Sequence, residues 1–336
     1  MSTISLVIAA AALAGPLDPP AGPIAPTPGP EPRIAINAVN TPGSATASFI
    51  ISAPGSYYLE GNILGEAGKT GILVNADEVS IDLMGFSLEG VPGSLDGIGS
   101  TQLNVFNLTL RNGVIKTWGE DGVDLHTVGM LADQVRSFDN ALYGFRVFGA
   151  DLRDCQAFNN NQAGIEFYEG SAVGCTAIRN NGTGIKANLT CIVRDCVASY
   201  NGGNGIDAAA AIVRNCMAIG NSSHGISVNG GCTVTGNTCS GNGALATTGA
   251  GILVNSSDNR IEDNNCVGND YGVRVNGEGN FIIKNTCSAN TTNWIFVANN
   301  FYSNIVNRAG ATTNSVNGDS AVSTLGTVDH TANFTY

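Results

Sequence analysis

Charge is what this sequence has least of. Of its 336 residues only 12% are charged, and lysine occurs four times. An ordinary soluble domain carries about 25% charged residues. The shortage removes the polar faces on which amphipathic helices depend, so a helical protein is excluded. Basic residues are the scarcer sign, 15 Lys and Arg against 27 Asp and Glu, for a net charge of −12. That balance argues against nucleic acid, whose phosphates demand a basic face, and against docking on an anionic membrane. The apolar run Leu6 to Leu13 is far shorter than the roughly 20 residues that span a bilayer, so membrane insertion is not expected.

Glycine (44 residues) and asparagine (38) are abundant instead, and both supply turn positions at positive φ. With 43% hydrophobic residues the chain can still bury a large core, which excludes general disorder. At the N-terminus, Leu6–Leu13 with the small residues Ala12 and Ala14 reads as a cleavable export signal over residues 1–14, although Met1-Ser2-Thr3 carries no basic residue. Eight prolines between Pro16 and Pro32 mark an extended linker, assigned here to residues 15–45. Export to the periplasm, the cell surface or the medium follows.

From residue 71 a glycine followed by an apolar residue recurs every 20 to 26 residues, from Gly71-Ile72 through Gly164-Ile165, Gly184-Ile185 and Gly205-Ile206 to Gly272-Val273. Inside each repeat lie three short runs of period-2 alternation separated by Gly/Asn turns. Three short strands per fixed period, with no helical segment, are the signature of a solenoid coil. The pattern predicts an all-β, single-domain solenoid of about 10–11 coils of about 21 residues over 46–310. Residues 311–336 break the period and read as a C-terminal cap or tail. The column Ile165, Ile185, Ile206, Ile226 and Ile252 is expected to point inward, where β-branched residues pack well.

With these repeats the chain resembles the right-handed parallel β-helix family, the pectin-lyase-like superfamily, and within it the NosD-like, carbohydrate-binding repeat group. Its N-terminal stretch Gly15–Pro23 with Glu31-Pro32-Arg33 also resembles a group of secreted bacterial β-helices. The resemblance implies an asparagine ladder at the turn occupied by Asn237, Asn264 and Asn285. It also implies that any polysaccharide would lie along the outer face of the first strand of each coil.

Nine cysteines fall into columns: Cys155, Cys175, Cys196 and Cys216 in one, Cys239, Cys266 and Cys287 in another, with Cys191 and Cys232 apart. Neighbouring rungs stand about 4.8 Å apart, wider than the Cβ separation a disulfide needs, so buried free thiols are expected. The odd count, the absence of any C-x-x-C and three scattered histidines speak against a zinc or copper centre.

The outward first-strand column reads Asp124, Arg146, Glu166, Lys186, Asp207. Its alternating signs stabilise neighbouring strands and suit a structural ladder more than a polyanion groove. Ser223-His224-Gly225 resembles the histidine-glycine motif of polygalacturonase-type glycosidases, but the matching positions on preceding coils, Asn204 and Thr183, cannot ionise. Asp124-Leu125-His126 resembles the Asp-Pro-His motif of alginate epimerases, with the proline missing. Asp121 and Asp124, with Asp96, Glu120 and Arg146, form the nearest approach to a calcium-type cluster, read here as a solvated coil edge. Apart from that calcium option no cofactor is expected. The sequence thus points to a non-catalytic β-helix that binds polysaccharide or other surface proteins, or serves in assembly. Asp121, Asp124, Arg146, Glu166, Lys186 and Asp207 are its candidate binding residues. The alternatives are a polysaccharide lyase, hydrolase or epimerase, and a fibre or envelope subunit.

Overall fold

The computed structural model describes residues 33–243, 248–307 and 329–336. The chain divides into two compact units, Met1–Arg33 and Ile34–Tyr336. The expected export signal, most of the proline-rich stretch and residues 311–328 of the expected cap lie outside the described residues.

The second unit is all β, a parallel solenoid of about 13 turns of roughly 21 residues. Each turn supplies one strand to each of three stacks, as Ile206–Ala209, Ile212–Arg214 and Met217–Ile219 do in one coil. These strands pair in parallel with the next coil at Ile206↔Ile226, Ile212↔Thr233 and Met217↔Thr238. The first stack is the one that follows the recurring glycine. The solenoid begins earlier than the repeat pattern indicates, because Ile34–Ala35 already pairs with Gly55–Tyr58. The next first-stack strand, Ala47–Ile51, has Ser48 where the following coil has Gly71, so the glycine mark is missing there. At the other end Asn333–Thr335 slots between Thr286–Ser288 and Ile305–Asn307 in the third stack.

Inside, the isoleucine column from Ile165 to Ile252 is fully buried, and Phe145, Phe167, Ala187, Val228 and Val254 fill the column beside it or the same face. Truncating a large buried side chain such as Phe167 costs about 3–5 kcal/mol. Alternation fixes the register, since a slip of one residue would turn this column to solvent.

The bends need more explanation than the strands. At the bend into the third stack, Asp154, Asp195, Asn215 and Asp263 adopt left-handed φ of 50° to 57°, which short polar side chains tolerate best. The residue after each turns its side chain inward, and there the chain uses either cysteine or asparagine. Asn237, Asn264 and Asn285 form a ladder: Asn237 N and Nδ2 donate to Asn264 Oδ1 at 3.0 and 2.9 Å, and Asn264 donates likewise to Asn285. Asn333, carried in by the inserted C-terminal strand, accepts from Asn285 and extends this ladder. Each amide also donates across to a strand carbonyl, Asn237 to Val213 O at 3.0 Å and Asn264 to Val234 O at 2.9 Å.

The cysteines of the earlier coils serve the same carbonyl column. Cys155, Cys175, Cys196 and Cys216 donate through Sγ to Ala132 O, Leu152 O, Ala172 O and Val193 O at 3.5, 3.5, 3.3 and 3.7 Å. A thiol is a small apolar filler with a weak donor and a weak acceptor, so it replaces the amide's cross-strand bond and offers the neighbouring N–H only a weak partner. All nine cysteines are free and buried, as expected.

A longer ladder, Asn140, Asn160, Asn180, Asn201, Asn221, Asn242, Asn269 and Asn290, runs through the bend back into the first stack. It explains the recurring glycine. A Cβ on Gly164 would stand 2.5 Å from Asn180 Nδ2, and one on Gly205 would stand 2.6 Å from Asn221 Nδ2. A third, short ladder joins Asn259, Asn280 and Asn300 at the remaining bend.

Three substitutions test this account by chemical denaturation. Asn264→Ala removes the acceptor shared by Asn237 N and Nδ2 and the side-chain donor to Val234 O, and is expected to lower stability by about 1–3 kcal/mol. Cys216→Asn extends the ladder by one rung toward Cys196 and is expected to match or exceed the parent. Cys216→Ala, which loses the Val193 O bond, is expected to fall below it.

Candidate functional site

The outer face of the first stack carries the predicted column, paired by register as Asp124↔Arg146↔Glu166↔Lys186↔Asp207. The charges do not form one continuous chain of ion pairs. Arg146 pairs with Asp124 through Nε at 3.1 Å and places Nη2 3.1 Å from Asp121 Oδ2. Lys186 pairs with Glu166 at 2.9 Å. Asp207 instead accepts from Asn204 Nδ2 at 3.2 Å, and burial raises its carboxyl above the ordinary range. In each pair the carboxylate is deeper than the cation: the side chains of Asp121 and Glu166 are 1% and 5% exposed, those of Arg146 and Lys186 both 39%. Tyr168 Oη and Asn188 Nδ2 also donate to Glu166 Oε1, at 3.0 and 3.3 Å.

Asp121 corrects the reading of a solvated coil edge, since the residue is fully buried. The cause is a local device that the sequence does not advertise. Where the residue before the glycine is Asp, Asn or His, its side chain turns to accept the backbone N–H of its counterpart one coil on. Asp96 Oδ1 accepts from Asp121 N at 3.0 Å, and Asp121 Oδ1 from Tyr143 N at 2.9 Å. Asn204 and His224 do the same further along, His224 Nδ1 accepting from Ala250 N at 2.9 Å. His224 is therefore held in a neutral, structural role, and burial lowers its pKa further.

The carboxylate oxygens of Asp96, Asp121 and Asp124 lie within 4.8 Å of one another. Burial, reinforced by the neighbouring carboxylates, pushes Asp96 up to about 7. Burial likewise pushes Asp121 up to about 6, against the pull of the Tyr143 amide and Arg146. Asp121 Oδ2 makes no hydrogen bond of proper geometry; the guanidinium of Arg146 is close but misaligned. The corner thus holds carboxyl groups that donate and accept protons near neutrality beside a half-exposed guanidinium. It offers the oxygen ligands calcium takes, with Arg146 paired to two of its three carboxylates.

Beside the charges runs an aromatic stack that sequence reasoning missed. His126 lies on Phe148 with ring centroids 3.8 Å apart, and Phe148 on Tyr168 at 4.2 Å. These residues share one column two places after Asp124, so aligning the repeats rung by rung is the signal that finds them.

Both raised carboxyls favour the folded state while protonated. Their contribution is complete below the unfolded value near 4 and is lost as pH rises through about 6 and 7. Replacing Asp96 with Asn keeps the acceptor for Asp121 N and removes the titration. Between pH 4 and 8 the parent is expected to lose melting temperature relative to Asp96→Asn; parallel curves would show that Asp96 is ordinary.

Comparisons place this geometry among known proteins. The family model described as periplasmic copper-binding protein (NosD) matches residues 128–321, more than half of the chain. Among solved structures, the A-module of the Azotobacter vinelandii mannuronan C-5 epimerase AlgE6 is similar at 17% identity with a TM-score of 0.62. The similarity covers 81% of this chain and 87% of that one. The corresponding AlgE4 module gives 14% and 0.61, over 81% and 88% of the two chains. The Dettilon tailspike protein gives 16% and 0.57, over 76% of this chain and 60% of the tailspike. At these identities the likeness is one of fold. No curated protein matches the sequence. With its right-handed β-helix architecture and a family match over most of the repeats, the chain belongs to the NosD family.

Proposed function

We propose that this protein is an exported, non-catalytic β-helix that binds a polysaccharide along the outer face of its first stack. Asp121, Asp124 and Arg146 form the centre of that face, and Glu166, Lys186 and Asp207 continue it. The observation that supports this reading is the anchoring of two half-exposed cations on buried carboxylates. Such pairs hold the guanidinium and ammonium rigidly while leaving donors for sugar hydroxyls. Partly protonated Asp96 and Asp121 add groups that both donate and accept, which suits a hydroxyl-rich ligand.

The copper of the family description does not fit the donors of this chain. Copper takes sulfur and nitrogen ligands, and thiols bind metal as thiolates. Every cysteine is buried, and those of the longest column donate their protons to carbonyls. Among the described residues the group that could hold a metal, Asp96, Asp121 and Asp124, is all oxygen.

A second reading rests on one observation: Asp124 and His126 both face outward on one strand around buried Leu125. An enzyme acting on a uronate polymer would use such a pair as acid and base. One experiment separates the readings. Calorimetry against a panel of neutral and acidic oligosaccharides is run with product analysis, on the parent and on Asp124→Asn. Binding that weakens tenfold or more in the variant, with no new reducing or unsaturated ends and no change in epimer ratio, is expected. Products that vanish in the variant would establish the enzyme; absence of any binding would end the first reading.

A further inference from the structure

The second stack carries a feature that the first-stack reading leaves unused. Its outward column runs Arg153↔Val173↔Arg194↔Arg214 over four consecutive rungs. Three of the chain's 15 basic residues thus stand on one short strip of a protein of net charge −12. They line an open cavity of about 650 Å³ together with Ser171 and Ile192.

Elsewhere on this face the basic side chains are neutralised. Arg111 pairs with Asp82 at 3.1 Å, and Arg260 and Lys284 share Glu262 at 2.6 and 2.9 Å. Around the cavity they are not. Arg153 and Arg214 have no ion-pair partner among the described residues, and Arg194 reaches only Asp195, at 3.5 Å. Asp154 stands on the rim, yet it forms no ion pair with the arginines. Asp195 is shared with Asn215 Nδ2, and Asp151 is occupied by Ser171 Oγ at 2.6 Å. Beside the arginines the floor is apolar and open, with Ile192 and Ile212 39% and 42% exposed.

We infer that this strip is a second binding site, for an anionic polysaccharide built of uronate sugars. Guanidinium forks match carboxylates bidentately. Rungs about 4.8 Å apart place Arg153 and Arg214 about 14 Å from end to end along the solenoid axis, a span that faces several consecutive sugars of an extended chain. Ile192 and Ile212 offer apolar surface to the C–H faces of the sugar rings. The alternating column of the first stack is poor for a polyanion, and this strip supplies the basic run that column lacks. The inference is independent of the first-stack reading, because it uses a different face and different residues.

The test compares a purified oligogalacturonate with a neutral oligosaccharide of equal length by calorimetry at two salt concentrations. The parent is expected to bind the oligogalacturonate, more tightly at low salt, since exposed charges are screened within about 10 Å at 0.1 M. Arg153→Gln/Arg214→Gln is expected to lose at least tenfold in that affinity while melting like the parent, because both side chains are exposed. Any affinity for the neutral oligosaccharide is expected to be the same in both proteins. No binding of oligogalacturonate by the parent at low salt, or equal binding by the double variant, overturns the proposal.

Discussion

A coil that bends three times per turn must satisfy the backbone at each inward bend without water, and this requirement organises the whole solenoid. Strand amides find carbonyls in the next coil, but bends interrupt that ladder, and a buried unpaired amide is costly. Asparagine solves the problem because one side chain both accepts and donates. Asn160 shows the complete pattern: its N and Nδ2 donate to Asn180 Oδ1, and Nδ2 also reaches Ser137 O. Along the ladder these amides, together with the carbonyl of the next coil's glycine, leave the facing residue no room for a Cβ, as at Gly164 and Gly205. The glycine mark and the asparagine ladder are one constraint seen from two sides of the chain.

The succession of cysteine by asparagine along one column answers the same requirement. At Cys216 the switch is visible within one step, since Cys216 N donates to Asn237 Oδ1 at 2.8 Å while its own Sγ reaches Val193 O. The thiols of that column thereby serve the fold, each donating to a strand carbonyl. The same economy appears outside. Before four of the glycines, Asp96, Asp121, Asn204 and His224 each receive an amide from the next coil, and at Asp121 the carboxylate is buried as a consequence. The acidic corner is thus a product of the coil geometry that leaves ionisable groups beside Arg146.

Much of this was legible in the residues because each column repeats. The inward isoleucines, the outward charges and the slot of Asn264 are all recovered by aligning glycines. What escaped depends on partners that arrive out of period or on features that residue type does not signal. Ile34–Ala35 carries no repeat mark, and only its pairing with Gly55–Tyr58 shows that the solenoid starts before residue 46. Asn333 joins Asn285 from 48 residues away through an inserted strand. Asp121 has the composition of a solvent-facing turn, and only the amide of Tyr143 reveals why it is buried. Belonging to the NosD family sets the architecture; the choice of ligand rests with the residues presented on the outer faces.

Native-state hydrogen exchange tests the central claim most directly. If the ladders carry the bends, the backbone amides of Asn160, Asn180, Asn201, Asn221 and Cys216 exchange as slowly as those of the fully buried strand residues Ile185 and Ile206, opening only with global unfolding. Bend amides that exchange orders of magnitude faster than the strands beside them would contradict the account, because the side-chain ladders would then be ornaments on a solenoid held by its strands alone.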